Sequence, residues 1–382
     1  MKKFNVLFLL ILICGILNFT ACSKTKKNAQ EFSDLNSQTN ISDLENSNLK
    51  NNNSRVLNTK IDSKTENKKN SKRISKLEKE LEKAEKKANS IRDIRIAVTK
   101  NSSSVPFAFI MESNRTLSKK IQLTYEIFSS DAEVEKGLLE NEIDFVVLPL
   151  NFAAKIYNEF ENIKIAAVLQ NENFYVLTKD KNLNQLSDLV GKNIYVQEEN
   201  SYADLLIKYL LHKNQIEIGN QETQVNLNYS LPHGEFDYAL LCEPEISNFI
   251  NLNSEIQKAI KLSDEYYDLN EITENFPMYV IVVNSDFARK NKKLVKRVLK
   301  LFENAQTWVL KNPIKASLFV KRRSLLPYEQ KILSASIENS AFTYKNITNV
   351  RKETEILLNM FLAVNPDSVG QKLPDNNFYL NY

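Results

Sequence analysis

Apolar residues along this chain change their spacing several times, and each change marks a segment with a different physical task. Val6 to Leu17 is an almost unbroken apolar run behind Lys2 and Lys3. From residue 23 to about 70, Asn, Ser, Lys and Thr dominate and apolar residues recur at no steady period. Such a stretch buries too little surface to offset its ordering entropy, so residues 22–71 are expected to form a disordered tether. A flexible coil of about 50 residues reaches on the order of 40 Å. Ile74, Leu77, Leu81, Ala84, Ala88 and Ile91 then alternate spacings of three and four, with Lys and Glu between them. That pattern predicts a short charged amphipathic helix over 72–92. With fewer than three heptads, a solvated spacer fits it better than a self-associating coil.

At Ile94 the period changes again. Ile94–Val98, Gln122–Phe128 and Phe145–Leu148 read as strands. Ser130-x-x-Glu133 between the last two is a capping box, opening a helix with Val134, Leu138 and Leu139 on one face. Strand, helix, strand at this spacing implies a parallel βαβ unit. The same grammar predicts a helix from about Asn151 to Phe160 and strands at Ile163–Leu169, Phe174–Thr178 and Asn193–Gln197. A second capping box, Ser201-x-x-Asp204, opens a helix carrying Leu205, Leu206, Tyr209 and Leu210; strands Tyr238–Leu241 and Met278–Val283 follow. Leu294, Val298, Leu301, Ala305 and Trp308 mark one of several amphipathic helices in the tail. The expected class is α/β, with two lobes in 94–382: the first about 94–180 plus 276–350, the second about 185–270.

The N-terminal run is too short to span a bilayer comfortably and fits a signal peptide over residues 1–21. Phe19-Thr20-Ala21-Cys22 resembles a lipobox, with Cys22 as the lipidated new N-terminus. Phe19 stands where Leu is usual, so an ordinary signal peptide with a chance cysteine is the alternative. Cys14 is the poorer candidate because bulky Ile13 precedes it. After processing at Cys22, only Cys242 would remain besides it, and an oxidising compartment would find no intramolecular disulfide to make. With 51 basic and 47 acidic residues, the net charge of +4 calls for no nucleic acid.

Four stretches together resemble the periplasmic binding proteins of the nitrate, sulfonate, taurine and thiamine-pyrimidine-precursor group. Gly137 to Pro149 is similar to that family's helix, turn and strand closing on a proline. Leu186-Ser187-Asp188-Leu189-x-Gly191-Lys192-x-Ile194 resembles its entry into the second lobe. Gly234-x-x-Asp237-Tyr238-Ala239-Leu240-Leu241-x-Glu243-Pro244 resembles the strand that ends at the cleft. Asn284-x-Asp286-Phe287-Ala288 through Ala316 resembles its C-terminal helices, and Gly370 to Tyr379 its last segment. The resemblance implies a two-lobe type II periplasmic-binding-protein architecture with a helical C-terminal region. It departs at the glycine-free loop Asn101-Ser102-Ser103-Ser104-Val105-Pro106.

Six scattered glycines leave no phosphate-cradling loop or dinucleotide fingerprint. His212, His233 and one cysteine in the folded part offer neither a usual zinc set nor a Cys–His dyad, so no cofactor and no catalytic residue is expected. Loop-to-helix junctions at the C-terminal ends of parallel strands are where an open α/β sheet places a ligand. One lobe would contribute Ser103, Ser104, Phe107, Ser129, Asn151 and Phe152; the other would contribute Asn200, Ser201, Tyr202 and Glu243. Free amides at the helix starts near Asn151 and Ser201 suit a carboxylate, sulfonate or ring acceptor. Capping alone explains Ser130 and Ser201 equally well. Phe107, Phe152, Tyr202, Tyr266 and Tyr267 would stack on a flat ligand or simply pack. Glu243 would accept from a ligand amine, or else hold a turn. The lack of an Arg or Lys cluster favours an aromatic or amine-bearing solute over a strongly anionic one.

The resemblance therefore implies solute capture for an ABC importer. A small molecule would enter between lobes that hinge near Lys181 and at Asp264–Asn275, and the closed form would dock on a membrane permease. The chain would be lipid-anchored through Cys22 to the outer face of the cytoplasmic membrane or to the cell surface. The alternative is a surface lipoprotein using the same fold for adhesion or sensing. An enzyme on this fold ranks third.

Overall fold

The computed structural model describes residues 74–80, 93–113, 116–118, 121–230, 235–270 and 275–381. The charged helix is present at 74–80, in a unit spanning Met1–Ala84. The rest of that helix, the tether, Cys22, His233 and Gly234 lie outside the described residues. The second unit, Glu85–Tyr382, carries the α/β fold.

Its first strand, β1 (Ile94–Thr99), is buried nearly throughout, as its IRIAVT run requires of a central parallel strand. A 3-10 turn at Ser102–Ser104 leads into α1 (Val105–Ser113), followed by the short edge strand β2 (Thr116–Ser118) and by β3 (Ile121–Phe128). Then come α2 (Asp131–Leu139), β4 (Phe145–Pro149), α3 (Leu150–Phe160) and β5 (Ile163–Asn171). β3 and β4 both run parallel to β1, which lies between them, so the α2 connection is the expected parallel crossover.

After β5 the chain leaves this sheet and builds a second. β6 (Tyr175–Thr178), β7 (Asn193–Val196), α4 (Tyr202–Lys213), β8 (Asn226–Asn228) and β9 (Tyr238–Leu241) come first. α5 (Glu245–Leu252), β10 (Gln257–Lys261) and α6 (Leu262–Asn270) complete the lobe. Its strands are ordered β10-β6-β9-β7-β8. Gly191, in the turn before β7, has φ +76, and a Cβ there would stand 2.9 Å from the Glu222 carbonyl, so only glycine fits without strain.

The return strand β11 (Pro277–Asn284) is buried at every position and inserts antiparallel between β4 and β5. α7 (Ser285–Lys290), α8 (Lys292–Lys311), α9 (Pro313–Arg322), α10 (Gln330–Asn339), β12 (Phe342–Asn346) and α11 (Arg351–Val364) finish the chain's regular elements. The first sheet thus runs β12-β5-β11-β4-β1-β3-β2. Phe302 of α8 packs edge-on against Phe107 of α1, ring centroids 5.1 Å apart, and both are buried. Each such phenylalanine contributes roughly 1.5–3 kcal/mol by leaving water.

Two boundaries differ from the sequence reading. β6 belongs to the second sheet, so the outgoing crossing lies at Glu172–Phe174 rather than near Lys181. β5 and β6 are both apolar runs separated by three residues, and periodicity carries no sign of a change of sheet. The first lobe also continues past residue 350, because Leu380 donates its amide to the Ile165 carbonyl of β5 at 2.9 Å.

Candidate functional site

Two chain crossings join the lobes, and they touch: the Glu172 amide donates to the Phe276 carbonyl at 2.8 Å. Beside them the Tyr202 hydroxyl, from the first turn of α4, donates to the Pro277 carbonyl at 2.9 Å. Above this junction lies a cavity of about 550 Å³. That is the size expected of a small-molecule pocket. The first lobe lines it with Asn101, Asp131, Asn151, Phe152 and Lys155, and β11 adds Met278 and Tyr279. The second lobe contributes the loop Gln197–Asn200 with Ser201, Tyr202 and Cys242. Asn365, Asp367 and Ser368, just after α11, close one side.

Of the ten residues expected at the cleft, the cavity gathers Asn151, Phe152, Asn200, Ser201 and Tyr202. Ser103 is buried, its hydroxyl donating to the Asn101 side chain at 2.6 Å. Ser104 is buried beside it without a hydrogen-bond partner for its hydroxyl. Phe107 faces the core through Phe302. Ser129 is exposed, and its amide donates to Glu133 at 2.8 Å as part of the capping box.

Glu243 is 0 % exposed and does not line the cavity. Its carboxylate accepts from the Ser247 amide at 3.1 Å and pairs with Lys258 at 3.5 Å. Burial pushes its pKa up, while Ser247 and Lys258 pull it back. The strand end aims the neighbouring Cys242 at the cavity and turns Glu243 toward β10, which sequence spacing does not reveal. Tyr266 is buried against Phe276, edge-on at 4.8 Å, and Tyr267 also packs on Phe276.

The lining that sequence reading missed includes Lys155, Glu198, Glu199, Tyr279, Asn365 and Asp367. Glu198 and Glu199 adjoin the second capping box, which was the available signal; Asn365 and Asp367 arrive by tertiary packing alone. Burial holds the Cys242 thiol well above its ordinary pKa, with Glu245 and Glu243 adding to the effect, so it is a poor nucleophile. Among the described residues, no group of three or more His, Cys, Asp or Glu is placed to hold a metal ion.

Two sheets joined by paired crossings, with a lined cavity between the lobes, define the periplasmic-binding-protein fold. The sequence model of the NMT1/THI5-like family matches residues 126–316, half of the 382-residue chain, and the protein belongs to that family. Among curated proteins no sequence matches significantly. Solved structures share the fold at low identity. An ABC transporter protein from Parabacteroides distasonis superposes with a TM-score of 0.63 at 20% identity, covering 75% of this chain and 98% of its own. The periplasmic aliphatic sulphonate binding protein SsuA of Escherichia coli gives 0.59 at 14% identity, covering 74% and 92%. The alkanesulfonate-binding protein SsuA of Xanthomonas axonopodis pv. citri, bound to MOPS, gives 0.54 at 15%, covering 74% and 94%.

Proposed function

We propose that the protein is the solute-binding lipoprotein of an ABC importer, which captures a small molecule between its lobes and delivers it to a membrane permease. The carrying observation is the cavity itself: both lobes and the C-terminal segment line it, and the chain passes between the lobes at adjacent crossings on which they can hinge. Capture of this kind needs polar side chains that converge on a solute and no covalent chemistry. Family membership and the structural neighbours support the reading. Cys22 would anchor the chain by its lipid, on the outer face of the cytoplasmic membrane or at the cell surface.

Two experiments test this. A thermal-shift screen of the full chain against thiamine precursors, flavins, sulfonates, nitrate and amino acids should find a solute that raises the melting temperature by mass action. Metabolic labelling with a fatty-acid analogue should mark the wild type and not Cys22→Ala. Label retained by the variant would remove the anchor from the proposal.

A further inference from the structure

The charge of the cavity lining restricts what it can hold. Four carboxylates line it, Asp131, Glu198, Glu199 and Asp367, against a single ammonium, that of Lys155. Among the described residues none of the four is in an ion pair with a Lys or Arg. They come from both sides of the opening: Asp131 starts α2 and Asp367 follows α11, whereas Glu198 and Glu199 precede α4. Desolvation raises the Asp131 pKa with no cation offsetting it.

The helix starts on two of these elements are partly taken by the chain's own oxygens. At α4, Ser201 accepts from the Asp204 amide at 3.3 Å, and Asp204 accepts from the Asn200 amide at 2.8 Å. At α2, Ser130 accepts from the Glu133 amide at 3.3 Å and Glu133 accepts from Ser129. An anionic solute would meet a carboxylate at each of these two helix ends, and the start of α3 at Asn151, which has no side-chain cap, is the helix end in the lining that carries no carboxylate.

Asn151 is an independent observation. Its side chain is 7 % exposed, it lines the cavity, and its Oδ1 has no hydrogen-bond partner. A buried acceptor left unpaired is costly, and a donor on an occupant of the cavity would satisfy it. Phe152, Phe174 and Tyr279 add ring surface to the same lining. Such rings pack on an apolar body and attract a neighbouring cation.

We infer that the solute is a small organic cation, a protonated nitrogen held among Asp131, Glu198, Glu199 and Asp367 on an aromatic or apolar body, with an N–H directed at Asn151. The inference rests on the solute-capture reading and gives that site its substrate class. It also couples binding to closure. Carboxylates facing one another across an empty cavity repel, and a cation between them removes the repulsion, so it binds the closed arrangement better than the open one.

The test uses probes of matched shape and different charge: phenethylammonium, benzamidinium, phenethyl alcohol and phenethylsulfonate, titrated calorimetrically into the full chain. The cations should bind at least about tenfold more tightly than the alcohol or the sulfonate, and added salt should weaken them. The Glu198→Gln/Glu199→Gln double variant should lose about tenfold in cation affinity while keeping the melting temperature of the free protein. Phenethylsulfonate binding as tightly as phenethylammonium, or cation affinity unchanged in the double variant, overturns the charge assignment and leaves solute capture standing. Binding of neither cation to folded protein overturns the charge assignment, and only a thermal-shift screen that also finds no solute overturns the capture reading itself.

Discussion

Asn151 and Glu172 are buried side chains that each keep an oxygen without a hydrogen-bond partner, and each makes a different demand. Asn151 sits at the start of α3, behind a Pro149 that supplies no side-chain cap, and lines the cavity with its Oδ1 buried and unpaired. Replacing it by leucine, of similar volume, removes an unsatisfied polar group. Asn151→Leu should therefore raise the stability of the free protein by about 1 kcal/mol while weakening solute binding. Chemical denaturation and titration on the same preparation check both halves, and a loss of stability would mean that water already satisfies the amide. Glu172 lies at the outgoing crossing, 2 % exposed, with its carboxylate accepting the Phe174 amide. Burial raises its pKa from 4.5 to about 7, against the opposing pull of Phe174, Ser263 and Lys261. A carboxyl whose folded pKa is raised holds its proton more tightly in the fold than in the unfolded chain. Its contribution is full below about pH 4.5 and is lost as the pH rises through about 7. Glu172→Gln should flatten that loss. The variant should match the wild type near pH 5 and exceed it near pH 8 by roughly 2–3 kcal/mol in urea denaturation. Parallel pH profiles for the two proteins would show that Glu172 does not titrate in this range.

The elements were legible where a local pattern fixes them and illegible where only packing does. Ser130-x-x-Glu133 and Ser201-x-x-Asp204 announced the starts of α2 and α4, because a capping box is a contact between near neighbours in sequence. The cavity residues at those junctions, Asn200, Ser201 and Tyr202, followed from the same signal. No local pattern places Asp367 opposite Glu199, nor does one show that Asn365 donates to the Asn200 side chain at 2.8 Å, across 165 positions of sequence. Glu243 shows the same limit from the other side. Its place at a strand end suggested a solute contact, yet it ties three elements together: it follows β9, accepts from Ser247 in α5 and pairs with Lys258 on β10. Glu243→Ala should therefore lower the stability of the free protein by about 1–3 kcal/mol, by leaving the Ser247 amide and the Lys258 ammonium without their partner. Solute affinity should change little. Unchanged denaturation together with a large loss of affinity would return Glu243 to the binding site.

The lobes also meet away from the cavity, through side chains that an opening of the lobes would separate. Tyr328, between α9 and α10, donates its hydroxyl to Glu245 of α5 at 3.1 Å. Lys331 of α10 reaches Asn251 of the same helix at 3.2 Å. Both bonds join the helical C-terminal region to the second lobe, and both would break if the lobes swung apart at the paired crossings. Burial raises the Glu245 pKa, partly offset by the Tyr328 hydroxyl, so that carboxylate is taken from water in this arrangement. If an open form exchanges with this one, the apparent affinity for a solute is its intrinsic affinity scaled by the closed fraction. Two hydrogen bonds of about 0.5–1.5 kcal/mol each then bias that equilibrium without touching the solute. The Tyr328→Phe/Lys331→Ala double variant should bind its solute roughly five- to thirtyfold more weakly, for a bias of about 1–2 kcal/mol. The cavity lining is untouched, so selectivity between charged probes should be preserved. Small-angle scattering should show the solute-free variant with a larger radius of gyration than the wild type, and saturating solute should bring the two together. Equal radii with equal affinities would mean that these contacts do not control closure, leaving the crossings at Glu172–Phe174 and before β11 to set it.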